Sequence, residues 1–169
     1  MNEAREEAAN EARHEAGNEA RNGAKDESAG MLVPMKQPAQ NRCFGCGAAN
    51  ASGLRLEFLL AADGSIVCLS AISEAFEGRP GCLHGGIIAT LLDEVMSKTV
   101  RAHGGHSAMT RHLQVDYLRP VPSLAPLRIE GRVLRSKGRS HWAEAQILSG
   151  EGAMLAHAKA IFVEPRPSA

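Results

Sequence analysis

The apolar positions of the chain follow two rhythms, and the switches between them mark out its elements. Leu54, Leu56, Phe58 and Leu60 share one face at period two, and Ile66, Cys68, Ser70 and Ile72 share the next. Asp63-Gly64 stands between them as a turn. After a loop over Glu74–Leu83 the period changes. Ile87, Ile88, Leu91, Leu92, Val95 and Met96 fall on one side at ~100° per residue, which predicts a helix that ends near His103-Gly104-Gly105. Its opposite side carries Ala89, Thr90, Asp93, Glu94 and Ser97, which are small or acidic where a solvated helix would show Lys and Arg. The pattern predicts a helix covered on both sides, with Asp93 in a protected place. Period two then returns four times. Leu113, Val115 and Tyr117 oppose His112, Gln114 and Asp116, and Leu127, Ile129, Gly131 and Val133 oppose Arg128, Glu130 and Arg132. Ala143, Ala145 and Ile147 oppose Glu144 and Gln146, and Met154, Ala156, Ala158, Ala160 and Phe162 oppose His157 and Lys159. Turns are expected at Arg119-Pro120-Val121-Pro122, at Lys137-Gly138-Arg139 and across Ser149–Gly152. The expected order is two strands, one long helix, then four strands joined by hairpins. A sheet with one apolar face must cover it, and the single helix is what the chain offers. An α+β fold follows, with an antiparallel sheet of about five to six strands wrapped around one long central helix.

Composition narrows this picture without changing it. The 169 residues suffice for one domain with a core. The 19 basic and 19 acidic side chains cancel, so charge points neither to nucleic acid nor to an anionic membrane surface. No run of ~18 apolar residues is present to span a membrane, and the N-terminus shows no apolar leader. Four cysteines without an export signal fit reduced thiols and a cytoplasmic location. Residues 1–30 are low-complexity: the tetrad Asn-Glu-Ala-Arg recurs at Asn2–Arg5, Asn10–Arg13 and Asn18–Arg21. With no aromatic or β-branched residue in the repeats, the segment reads as a disordered tail, the alternative being a partner-binding arm. Residues 31–42, with Pro34 and Pro38, read as a linker, and 43–164 as the folded domain. The segment Cys43-Phe-Gly-Cys46-Gly could be half of a zinc site or a redox pair. Zinc needs about four ligands and no second such pair exists, so a structural turn packed on the domain is expected, with no metal and no cofactor.

The chemistry gathers at His84-Gly85-Gly86, where the predicted helix begins. Glycines let the backbone approach a ligand closely, and the free N–H groups of a helix start favour negative charge. His84–Met96, reading HGGIIATLLDEVM, together with the element order, resembles the hotdog fold. More narrowly it resembles its acyl-CoA thioesterases of the phenylacetic-acid-pathway type. The likeness covers roughly residues 43–164. It rests on His84-Gly85-Gly86, on Asp93 nine residues after the histidine, on Leu118-Arg119-Pro120, and on the leading CxxCG segment.

That resemblance implies hydrolysis of an acyl-coenzyme A to a free acid and CoA. Asp93 would attack the carbonyl or activate a water. The N–H of Gly85 or Gly86 would polarise the carbonyl oxygen, and His84 would order the loop or bond the thioester. Thr110, contributed across a dimer, would position the water. Arg119, Lys137 and Arg139, in turns near the dimer edge, would meet the phosphates of CoA. Many relatives carry an Asn six residues before the histidine; here that position is Gly78. A homo-oligomer, a dimer or a dimer of dimers, is expected because the helix's outer face is not a solvated one. Glu94 is the competing carboxylate. The competing function is a hotdog module that binds acyl-CoA without turnover.

Overall fold

A computed structural model describes residues 32–106 and 108–166. The low-complexity segment 1–30 lies outside them. In chain order the elements are β1 (Val33–Pro34), β2 (Leu59–Leu60), β3 (Ile66–Ala71), a 3-10 turn (Glu74–Phe76), β4 (Glu77–Arg79) and β5 (Cys82–Leu83). There follow α1 (Gly85–Ala102), β6 (Met109–Tyr117), β7 (Pro126–Lys137), β8 (Ser140–Ser149) and β9 (Met154–Val163). One antiparallel sheet of seven strands, in the order β1-β2-β3-β7-β8-β9-β6, curves around α1, while β4 and β5 form a small hairpin. This is the hotdog arrangement.

The core is the meeting of one helix stripe with one sheet face. Ile88, Leu91, Leu92, Val95, Met96 and Val100 of α1 are buried against Ile66, Cys68, Ile129, Ile147 and Phe162. The middle of the sheet beneath the helix is built from small residues: Ala143, Ala145, Ala156, Ala158 and Ala160 are all buried. At Gly131 the approach is close. A Cβ there would lie 2.8 Å from Thr99 Oγ1 and 3.2 Å from the Val95 carbonyl oxygen, so helix backbone rests on bare strand. Gly131→Val is therefore expected to cost about 2–3 kcal/mol through forced displacement of α1. Thermal unfolding should show it as a loss of roughly 5–10 °C.

Three expectations are corrected. Among the described residues the sheet has seven strands where about five to six were expected, because β1 lies inside the segment read as a linker and pairs with β2. The expected strand over 54–60 contracts to Leu59–Leu60. Leu56 and Phe58 are buried as the alternation requires. The backbone before β2, however, bonds elsewhere: Leu54 and Leu56 donate to the carbonyls of Phe44 and Gly45, and Arg55 takes a φ of 51°. Finally, β6 does not form a hairpin with β7. Both sides of β7 are already taken, by β3 and β8, so β6 crosses over to pair with β9 and becomes the sheet's edge.

Both flanks of α1 are covered, as its sequence predicts. On one side β6 passes beside Asp93 and brings Thr110 to it. On the other, the loop holding Cys43 and Cys46 lies over Glu94 and Lys98.

Candidate active site

The start of α1 is fixed by its own first residues. His84 is the N-cap, with an extended backbone (φ −63°, ψ 140°), and its Nδ1 accepts the Gly86 N–H at 2.9 Å. An imidazole that accepts at Nδ1 carries its proton on Nε2, so the exposed ring offers an N–H donor outward. Since the Gly86 N–H is spent on this cap, the two glycines are not equivalent. The Gly85 N–H, first in the helix, has no acceptor among the described residues. Of the two amides that the sequence offers for polarising a carbonyl, Gly85 is the available one.

A residue that sequence reading left on an ordinary strand face joins this corner. Tyr117, at the end of β6, donates its hydroxyl to the Gly85 carbonyl at 3.0 Å, and its ring packs along Gly85. This pins the helix start to the edge strand. A contact 32 residues apart leaves no local signal in the sequence.

Gly78, where the resemblance implies Asn, lies in β4 directly against His84. A Cβ at 78 would stand 3.1 Å from His84 Cα and 3.3 Å from its ring Cδ2. Any side chain at 78 would press on His84, which would have to give way by a few tenths of an ångström. Neighbouring Glu77 is engaged by the Ser123 hydroxyl, and the His84 N–H bonds the Phe76 carbonyl at 2.9 Å.

Asp93 lies two helical turns further along α1. Its Oδ1 accepts the Thr110 hydroxyl at 2.8 Å, from a threonine of the same chain, whereas the resemblance had implied one reaching across a dimer. No bond to Oδ2 is present among the described residues. Burial raises the Asp93 pKa above the ordinary carboxylate range, and the nearby Glu94 charge adds to this, while the Thr110 bond pulls the other way. The result is a carboxylate more basic than a solvated one, with one oxygen held and one free. Such a group suits proton abstraction from water or direct attack.

Thr110 reaches Asp93 because β6 carries a bulge. The register steps from Thr110↔Phe162 to His112↔Ile161, which leaves Arg111 unmatched. Leu113, Val115 and Tyr117 face the helix at period two, so an unbroken strand would turn Thr110 outward. The extra residue reverses the parity and returns Thr110 to the helix side.

Asp93 and the helix start do not meet within one chain. Eight residues at 1.5 Å each separate Gly85 from Asp93 by about 12 Å along the axis. One carbonyl group cannot touch both. The three basic residues divide in the same way. Arg119, two residues past β6, sits at the Tyr117 end and bonds the Met154 carbonyl at 3.0 Å. Lys137 and Arg139 lie at the β7–β8 turn, beside the other end of β9, where Arg139 bonds the Glu164 carbonyl at 2.7 Å. A single chain thus holds the candidate residues in two separate groups at opposite ends of β6. One has His84, Gly85, Tyr117 and Arg119; the other has Asp93 and Thr110, with Lys137 and Arg139 on the same end of the sheet.

Glu94, the competing carboxylate, points away from both. Its Oε1 accepts from Cys43 Sγ at 3.1 Å, on the far flank of α1. Neighbouring Cys46 accepts from Lys98 Nζ at 3.1 Å, and burial pushes its thiol up to about 11.

Comparison with known proteins agrees with this architecture. Residues 80–156, which include the helix and both groups of candidate residues, match the family model of the thioesterase superfamily. An acyl-coenzyme A thioesterase of Xenopus laevis, THEM4, is 36% identical over 108 residues, covering 63% of this chain and 48% of its own. The chain thus spans about half the length of the curated relatives it matches. A thioesterase superfamily protein of known crystal structure superimposes over 94% of this chain and 78% of its own, with a TM-score of 0.69 at 26% identity. A second superfamily member, known from X-ray diffraction, is 31% identical, covers 66% of this chain and 86% of its own, and has a TM-score of 0.61. A sheet wrapped in this way around this helix, together with 31% identity across most of a known member's length, makes the chain a member of the thioesterase superfamily.

Proposed function

We propose that the protein hydrolyses the thioester of an acyl-coenzyme A, at a site completed by a second copy of the chain. The observation that carries the reading is the division of the chemistry along β6. Thr110 lies at the start of this strand, against Asp93, and Tyr117 at its end, against Gly85. The free edge of β6 is nine residues long, and Met109 (64%) and Tyr117 (54%) are among its exposed side chains. An unpaired edge of this length is a template for another strand. If β6 pairs antiparallel with its own copy about a two-fold axis, the start of one strand lies beside the end of the other. Asp93 and Thr110 then face the partner's Gly85 and the partner's His84. Arg119 at one end joins the partner's Lys137 and the partner's Arg139, a basic cluster suited to the phosphates of CoA.

Each group then has a task that its geometry supports. The partner's Gly85 offers an amide at a helix start, where the dipole favours the charge that develops on the carbonyl oxygen. The outward Nε2–H of the partner's His84 donates to the thioester. Asp93 takes the proton of an attacking water, or attacks the carbonyl itself, with Thr110 holding Oδ1 so that Oδ2 does the work. The acyl-CoA substrate is supported by the likeness to the acyl-coenzyme A thioesterases THEM4, about half of whose length this chain spans. Four free cysteines fit a reducing, cytoplasmic setting. Among the described residues no helix is long and apolar enough to cross a membrane.

The test is release of CoA thiol from short, long and aromatic acyl-CoAs, with light scattering on the same sample. Turnover by a dimer or a dimer of dimers supports the proposal. A chain that binds a non-hydrolysable analogue yet releases no CoA from any of them is instead a binding module. A monomer that turns over substrate refutes the shared site.

A further inference from the structure

We propose that the Cys43-Phe-Gly-Cys46 loop and Glu94 of α1 form a binding site for a thiophilic divalent cation, Zn2+ foremost, on the flank of the helix opposite the edge strand. The sequence offered only two ligands here. Folding brings the third, 51 residues from Cys43, to the same point. Cys43 Sγ, Cys46 Sγ and a Glu94 carboxylate oxygen all lie within 4.8 Å of one another. Ligands on a tetrahedral Zn2+, with bonds of 2.0–2.3 Å, stand about 3.3–3.8 Å apart. A small inward movement of the three side chains closes the shell, and a water completes the four positions.

The loop is shaped to hold these groups together. Gly45 lies so close to Glu94 that a Cβ there would fall 2.4 Å from its Cγ and 2.8 Å from Oε1. Gly47 has the same relation to the backbone of Cys43 and Asn41, at 2.5 and 2.6 Å. The turn is closed by the Gly47 N–H bonding the Cys43 carbonyl at 2.9 Å and by Asn41 Oδ1 accepting the Cys43 N–H at 3.0 Å. Cys46 is buried and Cys43 and Glu94 are half-buried, so the site is sheltered but reachable.

Its surroundings suit a bound cation with two thiolates. Both thiols release their protons to solvent as the metal binds. Two thiolates and one carboxylate around Zn2+ leave one excess negative charge. Lys98 supplies the balancing positive charge, with its Nζ 3.1 Å from Cys46 Sγ, and Asn41 Nδ2 stands 3.4 Å from the same sulfur. N–H donors on a thiolate are the outer contacts that tune and orient metal ligands. Lys98 is itself held over the Phe58 ring, 5.5 Å from its centroid. Bound metal would fasten the N-terminal loop to α1 at the residue after Asp93.

Titration of the reduced, full-length protein with Co2+ tests this independently of any turnover. A near-ultraviolet thiolate-to-cobalt charge-transfer band, with the intense visible bands of tetrahedral Co2+, is expected, and one equivalent of Zn2+ should displace it. Cys43→Ser and Cys46→Ser should each abolish the charge-transfer intensity of a two-thiolate site. Glu94→Gln retains both thiols, and should keep the band but weaken Co2+ binding about tenfold or more. Thermal melts of each variant establish that it is folded. Absence of the band in the folded wild-type chain overturns the proposal, as does an unchanged band in the folded Cys43→Ser/Cys46→Ser variant.

Discussion

Replacing Asp93 by asparagine is expected to lower acyl-CoA turnover by roughly 10²–10⁴, the range of a lost general base. Affinity for a non-hydrolysable analogue should change little, because the missing interaction belongs to the transition state. Asparagine keeps the shape and still accepts the Thr110 hydroxyl, so the loss isolates the reactive charge. The pH dependence has a definite sign. The carboxyl of Asp93 must be ionised to act, and burial raises its pKa. The acid limb of the wild-type rate profile should therefore lie above the ordinary aspartate value of about 3.9. The same shift bears on stability. A raised pKa means that the folded chain holds this proton more tightly than the unfolded one does. Its stabilising contribution is present at low pH and is lost as pH rises through the folded value. At neutral pH Asp93→Asn should then melt higher than wild type while turning over far less. A carboxylate that merely braces the fold would give the reverse, with lower stability and near-normal rate. Should Glu94→Gln abolish turnover while Asp93→Asn spares it, the carboxylates have been assigned in the wrong order.

Gly85→Pro is expected to remove the amide proposed to polarise the thioester carbonyl without disturbing the helix. Proline is well tolerated at the first helical position, where its missing N–H has no partner to lose within the helix. His84, which precedes it, already has the extended backbone that a following proline demands. Outside the helix itself, the atoms nearest a Cβ at 85 would be those of Tyr117, at 3.7–3.8 Å, an ordinary contact. Turnover should fall roughly 10²–10³, the usual cost of losing one such donor. Melting temperature should stay close to wild type. The two variants together test whether the site is shared. Each Asp93→Asn chain retains a good Gly85, and each Gly85→Pro chain a good Asp93. After unfolding and refolding as a mixture, half of the dimers would be mixed, each with one complete site. About a quarter of wild-type activity should return. If the complete site lay within one chain, mixing two inactive proteins would restore nothing.

Much of this was legible in the sequence, because local periodicity reports local structure. The stripe Ile88, Leu91, Leu92, Val95 and Met96 is buried as its spacing predicts, and α1 ends at Ala102, beside the His103-Gly104-Gly105 stop. The alternation along β7 and β8, and along β9 from Ala156 to Phe162, likewise matches the buried faces of those strands, whereas Met154 is exposed and Leu155 buried. His84 and Asp93 could be singled out because a helix start with glycines and an acid on a small-residue face are one-dimensional patterns.

What the sequence could not carry were the pairings, which depend on competition for edges across the whole sheet. That β6 goes to the edge beside β9 follows from β3 and β8 already holding both sides of β7. The bulge at Arg111 reverses the parity of β6 and turns Thr110 toward Asp93, a step that period-two reading places on the wrong face. Which glycine amide is free was decided by the ring of His84 closing on Gly86, and the place of Gly78 by that same histidine lying against it. The sequence determined the helix, its strands and the groups capable of chemistry, because each rests on neighbours a few residues away. Tertiary structure alone decided which of those groups meet: Glu94 with Cys43, Tyr117 with Gly85, and Asp93 with a threonine 17 residues on. Contacts between distant segments are set by packing the whole core at once, and no local pattern encodes them.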